Sequence, residues 1–166
     1  MILLPTMNLY QFNSNNSPLD WLLVDDIVMG GNSCGNFSVN EAEIGVFEGE
    51  ISLENNGGFS MMQHFFPKIQ VKDFRKVLIR LKGDGKTYQF RVKSTSKDYF
   101  SYIKPFTTSG HWETIEIPFE EMYPVFRGRK LHKPNYAGLS MEMIAFLFGN
   151  KKEESFRLEI SSIDLE

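Results

Sequence analysis

Two stretches of this chain carry the residue types that recognition chemistry needs. The first is Trp21-Leu22-Leu23-Val24-Asp25-Asp26-Ile27-Val28-Met29-Gly30-Gly31-Asn32-Ser33, where two acids interrupt an apolar run and a double glycine permits close backbone approach. The second is Phe126-Arg127-Gly128-Arg129, followed by Lys130, His132 and Lys133. Acids in apolar surroundings need partners, and guanidinium–carboxylate pairing is the strongest on offer. One expectation therefore joins Asp25 and Asp26 to Arg127 and Arg129, pinning the N-terminal strand to a long loop. The other gives Asp25, Asp26, Gly30, Gly31, Ser33, Arg127 and Arg129 to a polar ligand or a partner protein.

Catalytic and cofactor chemistry finds less support. Gly83-Asp84-Gly85-Lys86 lacks the spacing of a phosphate-binding loop and lies between strands instead of opening a helix. His64, His111 and His132 are far apart and none stands at metal-ligand spacing from a Cys or another His. No Gly-x-Ser-x-Gly elbow is present. Cys34 has no local catalytic signature and is expected as a buried, inert thiol. The pairs Asp25-Asp26 and Glu120-Glu121 are adjacent, and adjacent strand residues face opposite ways. The expectation is a chain with no catalytic group, no metal and no cofactor.

Composition narrows the partners. The 166 residues hold 18 Lys and Arg against 21 Asp and Glu, a net charge of −3 that lacks the basic excess of a nucleic-acid binder. Apolar runs are far too short to span a membrane. The first 19 residues carry no charge, so neither a secretory n-region nor an Arg-rich transit peptide is visible. A single cysteine cannot close an intramolecular disulfide. Both features point to the cytoplasm.

The elements that must position these residues read with period two. Val77, Ile79 and Leu81 alternate with Lys76, Arg80 and Lys82, and Tyr88, Phe90 and Val92 with Gln89, Arg91 and Lys93. Gly83-Asp84-Gly85 between them predicts a hairpin. Further strands are expected at 45–54, 58–66, 98–106, around Ile115–Ile117, at 144–148 and at 156–160, with at most a helical turn at 71–74 and 120–123. Fifteen Phe suit half-buried pleated surfaces. About eight strands with short turns predict an all-β sandwich, preferred over a barrel. Residues 1–18 are expected as a frayed tail and 19–166 as a single domain.

Six landmarks in order resemble the complex I intermediate-associated protein 30 family. They are the Trp21–Ser33 run, Asn55-Asn56-Gly57-Gly58-Phe59, Gly83–Tyr88, Trp112 with Ile117-Pro118-Phe119, Phe126–Arg129, and Phe156-Arg157-Leu158-Glu159-Ile160. The resemblance implies a galactose-binding-like jelly roll, related in fold to carbohydrate-binding modules, with no catalytic triad or metal site. It also implies a role like that of mitochondrial members, which assist assembly of respiratory complex I; a eukaryotic member would work in the matrix. The partners expected are protein subunits of a larger complex, with a glycan as the alternative. One departure stands out: where the family pattern commonly has Arg after the Gly-Gly-Phe segment, this chain has Gln63.

Overall fold

The fold comes from a computed structural model that describes residues 4–25, 32–54 and 58–166. Its strands in chain order are β1 (Met7–Gln11), β2 (Leu22–Asp25), β3 (Cys34–Val39), β4 (Gly45–Glu50), β5 (Ser60–Gln70), β6 (Lys76–Lys82) and β7 (Thr87–Lys93). There follow β8 (Ser101–Thr107), β9 (Trp112–Pro118), β10 (Tyr123–Phe126), β11 (Arg129–Lys130), β12 (Ser140–Phe148) and β13 (Ser155–Leu165). The described helical residues are a four-residue helix at Ser17–Asp20 and a 3-10 turn at Phe119–Glu121, plus a 3-10 residue at Glu54. One sheet runs β3-β4-β13-β6-β9, with β1 also paired to β13; the other runs β11-β10-β8-β7-β12-β5-β2. Every pairing among the described strands is antiparallel. This is the all-β jelly-roll sandwich expected.

Alternation places the core between the sheets. Val77, Ile79 and Leu81 of β6 are fully buried from one side, and Tyr88, Phe90 and Val92 of β7 from the other. Phe47, Phe156, Leu158, Ile160 and Ile163 meet Met62, Ile144, Phe146 and Phe148 in the same cluster. Each such side chain contributes about 1.5–3 kcal/mol of hydrophobic burial.

The expected hairpin at 76–93 does not form. β6 lies between β13 and β9, whereas β7 lies between β12 and β8 in the opposite sheet. Gly83–Lys86 is an arch from one sheet to the other, a gap of about 10 Å. Thr108 locks it: its hydroxyl accepts from Gly85 N at 3.0 Å and donates to the Lys86 carbonyl at 2.9 Å. Asp84 completes the arch by accepting from Tyr88 Oη at 3.0 Å and Arg157 N at 2.9 Å. Two amphipathic strands joined by a Gly-Asp-Gly turn satisfy a hairpin and an arch equally, so periodicity alone could not separate them.

The expected tail is also corrected. Met7–Gln11 pairs with the C-terminal half of β13, and Phe12, 1% exposed, lies 5.5 Å from the Trp21 ring in a stacked arrangement. Tyr10 donates to Asp20 Oδ2 at 2.7 Å and lies 2.9 Å from Ser17 Oγ. Uncharged residues here are strand and core.

The Asp25 pairing with the arginines fails for a topological reason. β2 and β10 are five strand spacings apart, about 24 Å across the sheet. Asp25 instead accepts from Ser60 Oγ at 2.5 Å and Gly35 N at 3.1 Å, tying β2 and β5 of one sheet to β3 of the other. Gly35 has no room for a side chain, since a Cβ would lie 2.0 Å from Ser60 Oγ. Asp26 lies outside the described residues. Cys34, expected as buried, is exposed at the start of β3.

These links can be tested by substitution and by pH. Gly35→Ala must break the Asp25–Ser60 contact and is expected to lower the unfolding free energy by about 1–3 kcal/mol, as is Ser60→Ala. Urea titrations of both variants that superimpose on the wild type would refute the link. Burial, reinforced by Asp20, pushes Tyr10 up to about 12, and burial raises Tyr88 and Tyr136 further. The unfolded chain then releases these protons near pH 10 while the folded chain holds them, so stability falls as pH rises through about 10 towards 12. Lys93 and Arg91, lowered by burial, act in the opposite sense but are outnumbered by these three tyrosines and Tyr102, which burial also raises. Denaturation curves with the same midpoint at about pH 9 and pH 11.5 would contradict this.

Candidate functional site

The outer face of the seven-stranded sheet can be read from its register. Gln89, Arg91 and Lys93 turn away from the core because Tyr88, Phe90 and Val92 turn into it. One row across the sheet is Leu22, Gln63, Ala145, Arg91, Ile103 and Tyr123. The next row places Phe65, Met143 and Lys93 side by side. Met143, Ala145, Ile103 and Val125 are buried although they lie on this outer face. The half-buried Met61, Gln63, Arg91 and Lys93 surround them.

Met61, Gln63, Arg91, Lys93, Val125 and Met143 line a recess of about 190 Å³, closed at one side by Tyr99, Phe126 and Arg127. The β10–β11 hairpin supplies Phe126 and Arg127 of that wall, and the segment before β8 supplies Tyr99. The hairpin's turn, Arg127-Gly128, has φ of 49° and 76°, the pair of positive values that a type I′ turn requires. Phe126 stands edge-on to Tyr99 with centroids 5.1 Å apart, and the Arg127 guanidinium lies 5.1 Å over the Phe126 ring. Lys130 similarly lies 5.2 Å over Tyr123.

The electrostatics of the recess are one-sided. Arg91, Lys93 and Arg127 line it, and among the described residues no carboxylate does. Arg91 donates from Nη1 to the Met61 sulfur at 3.7 Å, a weak acceptor, while its buried Nε has no partner among the described residues. Burial alone lowers the Arg91 pKa, with no opposing charge among the described residues to restore it. Burial also lowers Lys93, against partial compensation from Asp98, whose carbonyl accepts from the ammonium at 2.8 Å. A cation held this way gains a charge-assisted hydrogen bond from any acceptor that enters.

Two other clefts differ in this respect. One of about 790 Å³, at Lys72–Lys76, Pro118–Glu120 and Tyr136–Leu139, has Lys76 paired to Glu116 and Glu166. One of about 480 Å³ beside Glu48 and Asp84 has Arg157 paired to Glu48 and Glu159, and Lys86 to Asp84 and Glu154. Lys76, Lys86 and Arg157 thus already have carboxylate partners, whereas Lys72 and Arg75 of the larger cleft have no ion pair among the described residues.

Of the described candidate site residues, the structure brings Arg127 alone to the recess. Arg129 is exposed at the base of the same hairpin. Asp25 serves the inter-sheet link, and Ser33 Oγ accepts from Ser52 N at 3.0 Å and donates to its carbonyl at 3.2 Å. Asp26, Gly30 and Gly31 lie outside the described residues. Gln63, where the family pattern commonly has Arg, is in the recess wall with only Ala145 between it and Arg91. Arg91 and Lys93 were missed as site residues. Their signal was the run Met143–Phe148, apolar at every position, which marks a strand buried on both faces and so an outer face that something covers.

The histidines do not converge on this site. His64 Nδ1 lies 3.0 Å from the Asp20 carbonyl, amid the Tyr10, Trp21 and Phe66 rings, while His111 is exposed at the start of β9 and His132 follows β11. Among the described residues no group of three His, Cys, Asp or Glu could hold a metal ion. Nor is any described helix long and apolar enough to cross a membrane.

Comparison with known proteins adds the family. Among solved structures, the chain is similar to a family 11 carbohydrate-binding module of the cellulosomal cellulase Lic26A-Cel5E of Clostridium thermocellum, with TM-score 0.67 and 15% identity over 99% of this chain and 95% of that one. A structure of the Clostridium thermocellum family 11 module with a β-1,3-1,4-mixed-linked tetrasaccharide gives 0.62 and 16% over 93% of each chain. A point mutant of the family 29 carbohydrate-binding module CBM29-2 gives 0.54 and 9% over 98% of this chain and 91% of that one. Identities this low show the shared fold alone. No curated protein sequence matches. The sequence model of the Complex I intermediate-associated protein 30 family matches residues 10–160, and the chain therefore belongs to that family.

Proposed function

We propose that this chain is a non-enzymatic binding domain that assists assembly of a protein complex, docking an unassembled subunit in the recess of its seven-stranded sheet. The family supports the assembly role, with a respiratory-type complex as the client class. The observation that carries the reading is Arg91, a largely buried cation with an orphaned Nε, in a recess that three cations and no described carboxylate line. Its floor includes Met61 and Met143, whose flexible thioethers adapt to varied apolar side chains. Arg127 and Arg129 remain partner contacts in this reading.

A glycan is the second reading. Tyr99 and Phe65 are 57% and 44% exposed on this same face, and exposed aromatic rings stack on sugars. The similar structures are carbohydrate-binding modules, and one of them holds a mixed-linked tetrasaccharide.

A photo-crosslinking residue at position 99 decides between them, with position 114 on the other sheet as control. The expected outcome is one predominant protein captured from 99 and not from 114. Retardation in gels containing mixed-linked β-glucan, with no protein captured, would hand the site to the glycan. Arg91→Met supplies a second test. Replacing an unpaired buried cation by an apolar side chain of similar length is expected to raise the unfolding free energy by about 1 kcal/mol or more while abolishing capture. A destabilised variant would make Arg91 a structural residue.

A further inference from the structure

Within the docking reading, on which this inference rests, we infer that the recess takes the carboxylate of a glutamate side chain on the partner, seated between Arg91, Lys93 and Arg127. Three features converge on that chemistry. The recess measures about 190 Å³, below the roughly 300–1,000 Å³ of sites that enclose a free small molecule, and suits one anchoring side chain of a larger partner. Its cations have no carboxylate among the lining residues, and only Lys93 feels one nearby, at Asp98, so Arg91 is left open to a counter-charge from a partner. Its floor is apolar, with Met143 and Val125 1% and 5% exposed.

That combination separates glutamate from other acceptors. A carbonyl or amide would leave Arg91 uncompensated in charge, and the cost of burying a lone cation would persist. A phosphate would bring dense charge onto an apolar floor. Glutamate lays its two methylenes on Met143 and Val125 and presents its oxygens to the guanidinium, whose planar fork matches a carboxylate. Lys93 and Arg127 then raise the local potential without needing direct contact. Gln63 fits the same scheme: it leaves Arg91 as the cation of its row, where an Arg at 63 would add a second with only Ala145 between.

The test is a displayed library of random twelve-residue peptides selected on the whole protein, beside Arg91→Met and Arg127→Gln. Selection on the wild type is expected to enrich Glu at one position at least tenfold, flanked by apolar residues. The best peptide should lose at least tenfold in affinity on its own Glu→Gln change, and a similar amount against Arg91→Met. Circular dichroism and urea titration establish that both variants fold. An empty selection, peptides without a fixed acid, or equal binding of the Glu and Gln peptides overturns the inference. So does binding of polygalacturonate, in place of peptide, that Arg91→Met abolishes. In each case a protein captured from position 99 leaves the docking reading standing, whereas loss of capture there removes both.

Discussion

The constraint on which the rest of this structure depends is that β12 is buried on both of its faces. Ile144, Phe146 and Phe148 fill the space between the sheets, while Met143 and Ala145 lie under the outer surface at 1% and 0% exposure. A strand of that kind cannot sit at an edge, and it lies inside its sheet between β7 and β5. Its outer face then has to be shielded by long side chains from β5 and β7. Arginine and lysine serve that purpose because their stems cover apolar surface while their heads reach for polar partners. The same covering that protects β12 thus installs Arg91, with its orphaned Nε, and Lys93 above an apolar floor. Site and scaffold are two sides of one packing requirement.

The edges of the sandwich are managed separately. Asp25, Ser60 and Gly35 tie the two sheets near one edge, and the arch at Gly83–Lys86 ties them again through Thr108 and Asp84. On the opposite sheet several outward charges of β6, β9 and β13 are held in ion pairs such as Lys76–Glu116 and Arg157–Glu159, and Arg80 lies over the Trp112 ring. The recess on the other face instead gathers three cations with no carboxylate among its described lining residues. That asymmetry, and not the net charge of −3, distinguishes the two surfaces.

Fold class and most strand positions were legible because alternation survives in one sequence: β6, β7 and β9 read directly from Val77, Phe90 and Ile117 with their polar neighbours. Which strands pair was less legible. A turn such as Gly83–Lys86 states that the chain reverses, not whether it stays in one sheet. β1, β3 and β10 escaped notice because a few residues each gain their meaning only beside β13, β4 and β8. The site was harder still. Arg127 drew attention as part of a basic cluster, yet Arg91 and Lys93 looked like ordinary outward residues of an amphipathic strand. Their burial arises from register with Ala145 and Met143, which belong to a strand roughly fifty residues later. Asp25 was rightly read as an acid in need of partners, but a hydroxyl and a backbone amide answered that need.

The place of β13 has a consequence for how the chain is made. This strand, Ser155–Leu165, pairs with β4 and β1 on one side and β6 on the other, so it is the spine of its sheet and also the last of these strands to leave the ribosome. Until it emerges, β6 has only β9 for company and β4 only β3. The other sheet's strands, from β2 to β12, are all synthesised before it. The face that carries the recess can therefore begin to assemble while its supporting layer is incomplete, and closure waits on contacts spanning almost the whole chain, the kind that make folding slow.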